Sequence, residues 1–140
     1  MIKKIAVWCL CLSILSIQFI SAEEKFLSLK KNKTNVRYGP GIDRSIKYVY
    51  RKINLPVKQI DKKENWRRVL FLDNNSGWIH WSQLKSSNSI IILEDKILYK
   101  KPSNFSKPIA KLEKGRLLIL KKCENIWCNV KTDDYSGWVK

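Results

Sequence analysis

The amino-acid sequence predicts an all-β protein in which two small β-barrels stand in tandem behind an N-terminal signal peptide. Two segments of the chain repeat an ordered pattern at a spacing of about sixty residues. Each copy divides into short apolar runs separated by Gly, Pro, Asn, Asp and Ser, the residues that turn a chain between strands. No stretch beyond residue 22 sustains the periodicity of an amphipathic helix.

The leader comes first. Lys3 and Lys4 precede an almost uncharged apolar run over residues 5–20, then Ser21 and Ala22, then Glu23 and Glu24. A basic start, a short apolar centre and small residues before an acidic pair read as a signal peptide over residues 1–22, cut after Ala22. The run is too short to read as a firm membrane span. Ile20 is bulky for a position so near the cut, which leaves an uncleaved amphiphilic anchor as the alternative. Cys9 and Cys11 lack a small-residue site just before them, which argues against a lipid-modified cysteine.

The repeat organises the rest. Asn65-Trp66-Arg67-Arg68-Val69 recurs as Ile126-Trp127-Cys128-Asn129-Val130, and Ser76-Gly77-Trp78-Ile79 recurs as Ser136-Gly137-Trp138-Val139. The first copy, residues 23–86, is expected to form strands over 26–29, 34–37, 46–50, 56–61, 66–72 and 77–80. Gly39-Pro40-Gly41 interrupts them. Asp73-Asn74-Asn75 marks a hairpin turn, because Asn and Asp tolerate left-handed backbone. Residues 81–84 could make one helical turn before a further strand. The second copy, residues 87–140, is expected to form strands over 90–93, 96–99, 109–112, 116–122, 126–131 and 137–139, broken at Lys101-Pro102-Ser103-Asn104. The connector, 85–89, is only a few residues long, so the two barrels are expected to pack together.

Asn35-Val36-Arg37-Tyr38-Gly39-Pro40-Gly41 resembles the N-V-R-x-G-P motif of bacterial SH3 domains, and Trp66 and Gly77-Trp78 fall where that family places them. Trp127 and Gly137-Trp138 carry the weaker second likeness. The chain is similar from end to end to exported two-domain alphaproteobacterial proteins of this kind. The resemblance implies SH3-like barrels that bind peptides or cell-wall material. Gly39 and Gly41 allow backbone angles closed to other residues while Pro40 fixes its own, so the chain can turn sharply between two strands. Arg37 is expected to pair inside its own barrel, with ligand contact as the alternative. The second copy ends soon after Trp138, without the closing segment of the first. Either that barrel is open at one edge, or the strand at 90–93 serves both copies; an open edge could accept a partner's strand.

Charge narrows the partners. The chain holds 28 Lys and Arg against 12 Asp and Glu, a net +16, of which the leader takes only Lys3 and Lys4. Anionic wall polymers, lipid headgroups and nucleic acid all suit such a balance, as does a uniformly basic solvated surface. Export weighs against nucleic acid. His80 is the single histidine, which leaves little material for metal binding or a histidine-activated nucleophile, and no carboxylate pair stands out. The expectation is a non-catalytic protein with no cofactor and no metal, whose mature part has no transmembrane span. Cys123 and Cys128 flank a predicted turn, and in an oxidising compartment such a pair forms a disulfide across a hairpin.

Aromatic residues remain for recognition. Trp66 and Trp78 recur in the second copy as Trp127 and Trp138, which is better explained by the barrel's own packing. Tyr38, Tyr48 and Trp81 have no aromatic counterparts, so they form the candidate binding set, with Arg37, Arg67 and Arg68 as nearby positive charge. An aromatic groove with basic flanks suits an extended peptide or a peptidoglycan fragment. The alternative is an envelope adaptor that docks another protein through its basic faces or open sheet edge. Both readings place the protein in the periplasm or cell envelope.

Overall fold

The computed structural model describes residues 24–140, so the leader and its cut lie outside the described residues. Among the described residues the fold is β throughout apart from one 3-10 turn. The first sheet contains β1 (Lys25–Leu29), β2 (Thr34–Arg37), β3 (Ile46–Tyr50), β4 (Pro56–Lys63), β5 (Trp66–Leu70), β6 (Ser76–His80) and, after the turn at Trp81–Gln83, β7 (Leu84–Ser86). Its spatial order is β3-β2-β6-β5-β4-β1-β7. The second sheet contains β8 (Ser89–Ile91), β9 (Lys96–Tyr99), β10 (Pro108–Leu112), β11 (Leu117–Glu124), β12 (Trp127–Lys131) and β13 (Ser136–Val139), in the order β10-β9-β13-β12-β11-β8. The second order reproduces the first without a strand in the place of β7.

Each sheet curls around its own core. Leu27, Leu29, Val36, Val57, Val69, Phe71, Ile79 and Leu84 fill the first; Ile92, Leu98, Leu112, Leu118, Val130 and Val139 fill the second. Period-two alternation selects them. On β6, Gly77 and Ile79 face in, while Ser76, Trp78 and His80 face out. Gly77 is needed for close approach: a methyl there would overlap Val36 Cγ1 and lie 3.0 Å from the Arg37 carbonyl oxygen. At Gly137 the methyl would lie 2.6 Å from the Tyr99 carbonyl oxygen.

Neither Gly39 nor Gly41 uses the left-handed backbone open to glycine, and Gly115 is the one glycine with positive φ among the described residues. Their loop is crowded instead. A methyl on Gly39 would lie 3.0 Å from Arg44 Cγ, and one on Gly41 would overlap the Asp43 carboxylate. Left-handed backbone falls at Asn74, in the predicted hairpin turn, and at Asn54, Glu64 and Asn125.

Only Ser87 and Asn88 separate β7 from β8. The fully buried Ser28 donates to Ser87 Oγ at 2.8 Å and lies 2.7 Å from Ser89 Oγ, which donates to the Asn54 carbonyl at 2.6 Å. These bonds fasten the start of the second barrel to the first. Among the described residues β8 pairs with β11 alone, and β7 closes on β1, so the strand near residue 90 does not serve both sheets. Among the described residues no strand pairs with the outer edge of β8. Cys123 and Cys128 are directly opposed on β11 and β12 and joined by a disulfide. No helix among the described residues is long and apolar enough to cross a membrane.

Candidate functional site

The first barrel's outer face begins with a row of cross-strand neighbours. Arg37 on β2 is opposite Trp78 on β6, and Trp78 is opposite Arg68 on β5. Opposed residues on one face lie within about 5 Å of each other at Cβ, so Trp78 is flanked by two arginines. One rung along, Trp66 is opposite His80, with ring centroids 5.3 Å apart and edge to face. Of the four recurring tryptophans, three pack on the outside of the barrels and one, Trp127, is buried. Neither core cluster contains a tryptophan. Inward Ile79 forces Trp78 outward and inward Val139 forces Trp138 outward; Trp66, Trp78 and Trp138 are half-buried on the outside. Trp127 is buried, its ring edge to face with that of Tyr99 at a centroid distance of 5.6 Å.

Beside this row, the loop between β2 and β3 forms a cleft. Tyr38, Gly39, Pro40, Arg44, Ser45 and Lys63 line a space of about 500 Å³. The Arg37 guanidinium donates to the Arg44 carbonyl at 2.6 Å, and Tyr38 N–H donates to the Ser45 carbonyl at 3.2 Å, so both ends of the loop are held. Tyr38 is 67% exposed. The Lys47 ammonium lies 5.6 Å from the Tyr38 ring and 5.1 Å from the Tyr48 ring, while donating to the Ser76 carbonyl at 3.1 Å. An aromatic face attracts a cation at such distances.

A polar chain supports these rings from behind. Tyr48 Oη donates to Asn75 Oδ1 at 3.1 Å, and Asn75 Nδ2 donates to Asp73 Oδ2 at 2.9 Å. Tyr50 Oη also donates to Asp73 Oδ2, at 3.0 Å, and its ring stacks on Phe71 with centroids 3.8 Å apart. Burial, then the bond and charge of Asp73, push the Tyr50 hydroxyl up to about 12. Desolvation acts on Asp73 in the opposite sense to its hydrogen bonds from Asn75 and Tyr50, and the bonds prevail, holding the carboxyl below its ordinary value.

The six residues expected from sequence are thus divided. Tyr38 and Tyr48 converge on Lys47, with Arg37 bracing the loop. Arg68 is in the Trp78 row. Arg67 turns back to the Glu64 and Trp66 carbonyls, each at 2.9 Å. Trp81 is 54% exposed, its ring 6.3 Å from that of His80, and its backbone N–H donates to the Asn65 carbonyl. Lys47, Arg44 and Lys63 were not foreseen, because nothing in a run of lysines marks which one reaches an aromatic ring.

A second concavity was also unforeseen. Between the barrels, Phe26, Val57, Phe71, Leu72, Ile91 and Leu93 are among the residues lining an apolar groove of about 520 Å³. It lies against β8, contributed by one barrel, and against β1 and β4, contributed by the other. No cluster of three or more His, Cys, Asp or Glu side chains suited to a metal occurs among the described residues.

Solved structures of NlpC2 and NlpC1 from Trichomonas vaginalis superpose with TM-scores of 0.38 and 0.39, at 13% and 12% identity over 83% of this chain. The chain spans less than half of each, 45% and 43% respectively. No curated protein matches it. The sequence profile of the bacterial SH3 domain matches twice, over residues 30–85 and 95–140, one match on each curled sheet. The chain belongs to the bacterial SH3 domain family, as two SH3-like domains in tandem.

Proposed function

We propose that the protein is an exported, non-catalytic binding module of the cell envelope that holds a peptide or peptidoglycan fragment in the cleft of its first barrel. One observation carries this reading: an exposed tyrosine, Tyr38, stands in a concave site with Arg44, Lys63 and Lys47 around it. An extended peptide with free carboxylates matches that set, its stem packing on the ring and its acid groups meeting the cations. The disulfide and the basic, leader-like start support export. The test is retention on purified peptidoglycan. Intact protein should be retained and the Tyr38→Ala/Lys47→Ala variant should be released; equal retention of the two would remove the cleft as the site.

The inter-barrel groove favours a second reading, an adaptor for another envelope protein. Its occupant would be an extended segment with alternating apolar side chains, adding to the outer edge of β8. Leu72→Asp and Leu93→Asp would abolish co-purification with such a partner and leave peptidoglycan retention unchanged.

A further inference from the structure

The loops that follow β2 and β9 have one backbone design. In the first barrel Tyr38 N–H bonds to Ser45 O, Gly41 N–H to Gly39 O and Arg44 N–H to Gly41 O; in the second, Lys100 N–H bonds to Lys107 O, Ser103 N–H to Lys101 O and Ser106 N–H to Ser103 O. Each bond falls at the equivalent place. The side chains do not correspond. Where the first loop carries Asp43, paired with Arg44 at 3.6 Å, the second carries Phe105.

Phe105 is 101% exposed, so its ring touches nothing in the fold. Its loop is nevertheless tied down. Phe105 N–H donates to Ser103 Oγ at 3.2 Å and Lys101 N–H donates to Ser106 Oγ at 2.8 Å. The tip therefore presents a phenyl ring outward on an ordered turn, and water is a poor environment for it. The same loop carries Lys100, Lys101 and Lys107, all exposed and none in a salt bridge among the described residues. Residues 96–112 contain five lysines and no acid; Lys96 and Lys111 are engaged with Glu94 and Asp95.

We propose that the 100–107 loop is a membrane-docking tip, inserting Phe105 at the boundary of headgroups and acyl chains of an anionic bilayer while Lys100, Lys101 and Lys107 meet the lipid phosphates. An exposed aromatic ring on a loop with three free lysines is the combination that a negatively charged lipid surface holds, since the ring leaves water and the ammonium groups stay at headgroup level. A soluble polyanion would engage the lysines and leave the ring in water. The loop is distinct from the Tyr38 cleft, so one reading can fail without the other.

The test uses a chain beginning at Glu23, which retains every residue of both cores and removes the apolar leader. Its sedimentation with vesicles of phosphatidylglycerol in phosphatidylcholine is compared with that on phosphatidylcholine alone. Binding is expected on the anionic vesicles only, and is expected to fall as salt rises. Phe105→Ala should weaken it roughly ten- to a hundredfold, the equivalent of removing one buried phenyl group. Replacing the three lysines by glutamine should weaken it by about a hundredfold, at about fivefold per charge. Because Phe105 makes no packing contact, its variants should melt with the parent protein. Binding unchanged by Phe105→Ala, or no preference for anionic vesicles, would overturn the proposal; sensitivity to the lysines alone would leave a contact of charge without insertion of the ring, which also overturns it.

Discussion

Gly77→Ala is the most informative single change in the first barrel. The added methyl would overlap Val36 Cγ1, in a core where both Val36 and Ile79 have no exposed surface. Overpacking of this kind costs about 1–3 kcal/mol. Val36→Ala alone removes two buried carbons, at about 0.8 kcal/mol each plus a cavity term, or about 2 kcal/mol together. The two changes are complementary in space, because the new methyl occupies volume that the lost one vacates. The double variant should therefore be less destabilised than the sum of the single ones by at least about 1 kcal/mol. Urea unfolding of the four proteins, followed by tryptophan emission, gives that coupling directly. The second barrel supplies the control. At Gly137 the obstruction is the Tyr99 carbonyl oxygen, 2.6 Å away on the main chain, so trimming Ile109 should not rescue Gly137→Ala. Additivity of Gly77→Ala and Val36→Ala within about 0.5 kcal/mol would refute the reasoning that Gly77 is small to admit Val36.

Other outcomes follow from the same contacts. Reducing the Cys123–Cys128 disulfide should lower stability by about 2 kcal/mol by the chain-entropy relation for so short a loop, visible as a lower melting temperature with reductant. Tyr50 is held protonated in the fold up to about 12, whereas an unfolded tyrosine ionises near 10. Its contribution is complete below the unfolded value and is lost as pH rises through the folded one, so Tyr50→Phe should flatten the alkaline loss of stability over that window. Asp73 has the opposite sign: its carboxyl is held low, so its contribution is present above the unfolded value and disappears as pH falls through the folded one, and Asp73→Asn should blunt acid sensitivity in pH melts. Arg37→Ala should free the 38–45 loop by removing the bond to the Arg44 carbonyl, read as faster amide exchange at Tyr38 with the sheet unchanged.

Much of the architecture was legible because strands announce themselves locally. Turn residues at Asp73-Asn74-Asn75 and the pattern at Ser76-Gly77-Trp78 carry their meaning within a few residues. The inward or outward sense of Trp78 was not legible from recurrence. A residue repeats wherever the sheet repeats, on either face, and only pairing against Val36 and Ile79 shows which face is full. The Lys47 position depends on the register shift between Val36 and Arg37 opposite β3, a one-residue irregularity with no sequence mark. The apolar groove depends on how Ser28, Ser87 and Ser89 fasten two barrels, and such docking has no periodic signal at all.

Titration calorimetry of soluble peptidoglycan stem peptides into the protein tests the central claim most directly. The account predicts binding by the intact protein that weakens as salt rises, is lost in Tyr38→Ala/Arg44→Ala, and survives Trp81→Ala, since Trp81 stands with His80 and Asn65 and does not line the cleft. No heat of binding with the intact protein, or equal affinity in the Tyr38→Ala/Arg44→Ala variant, would contradict it.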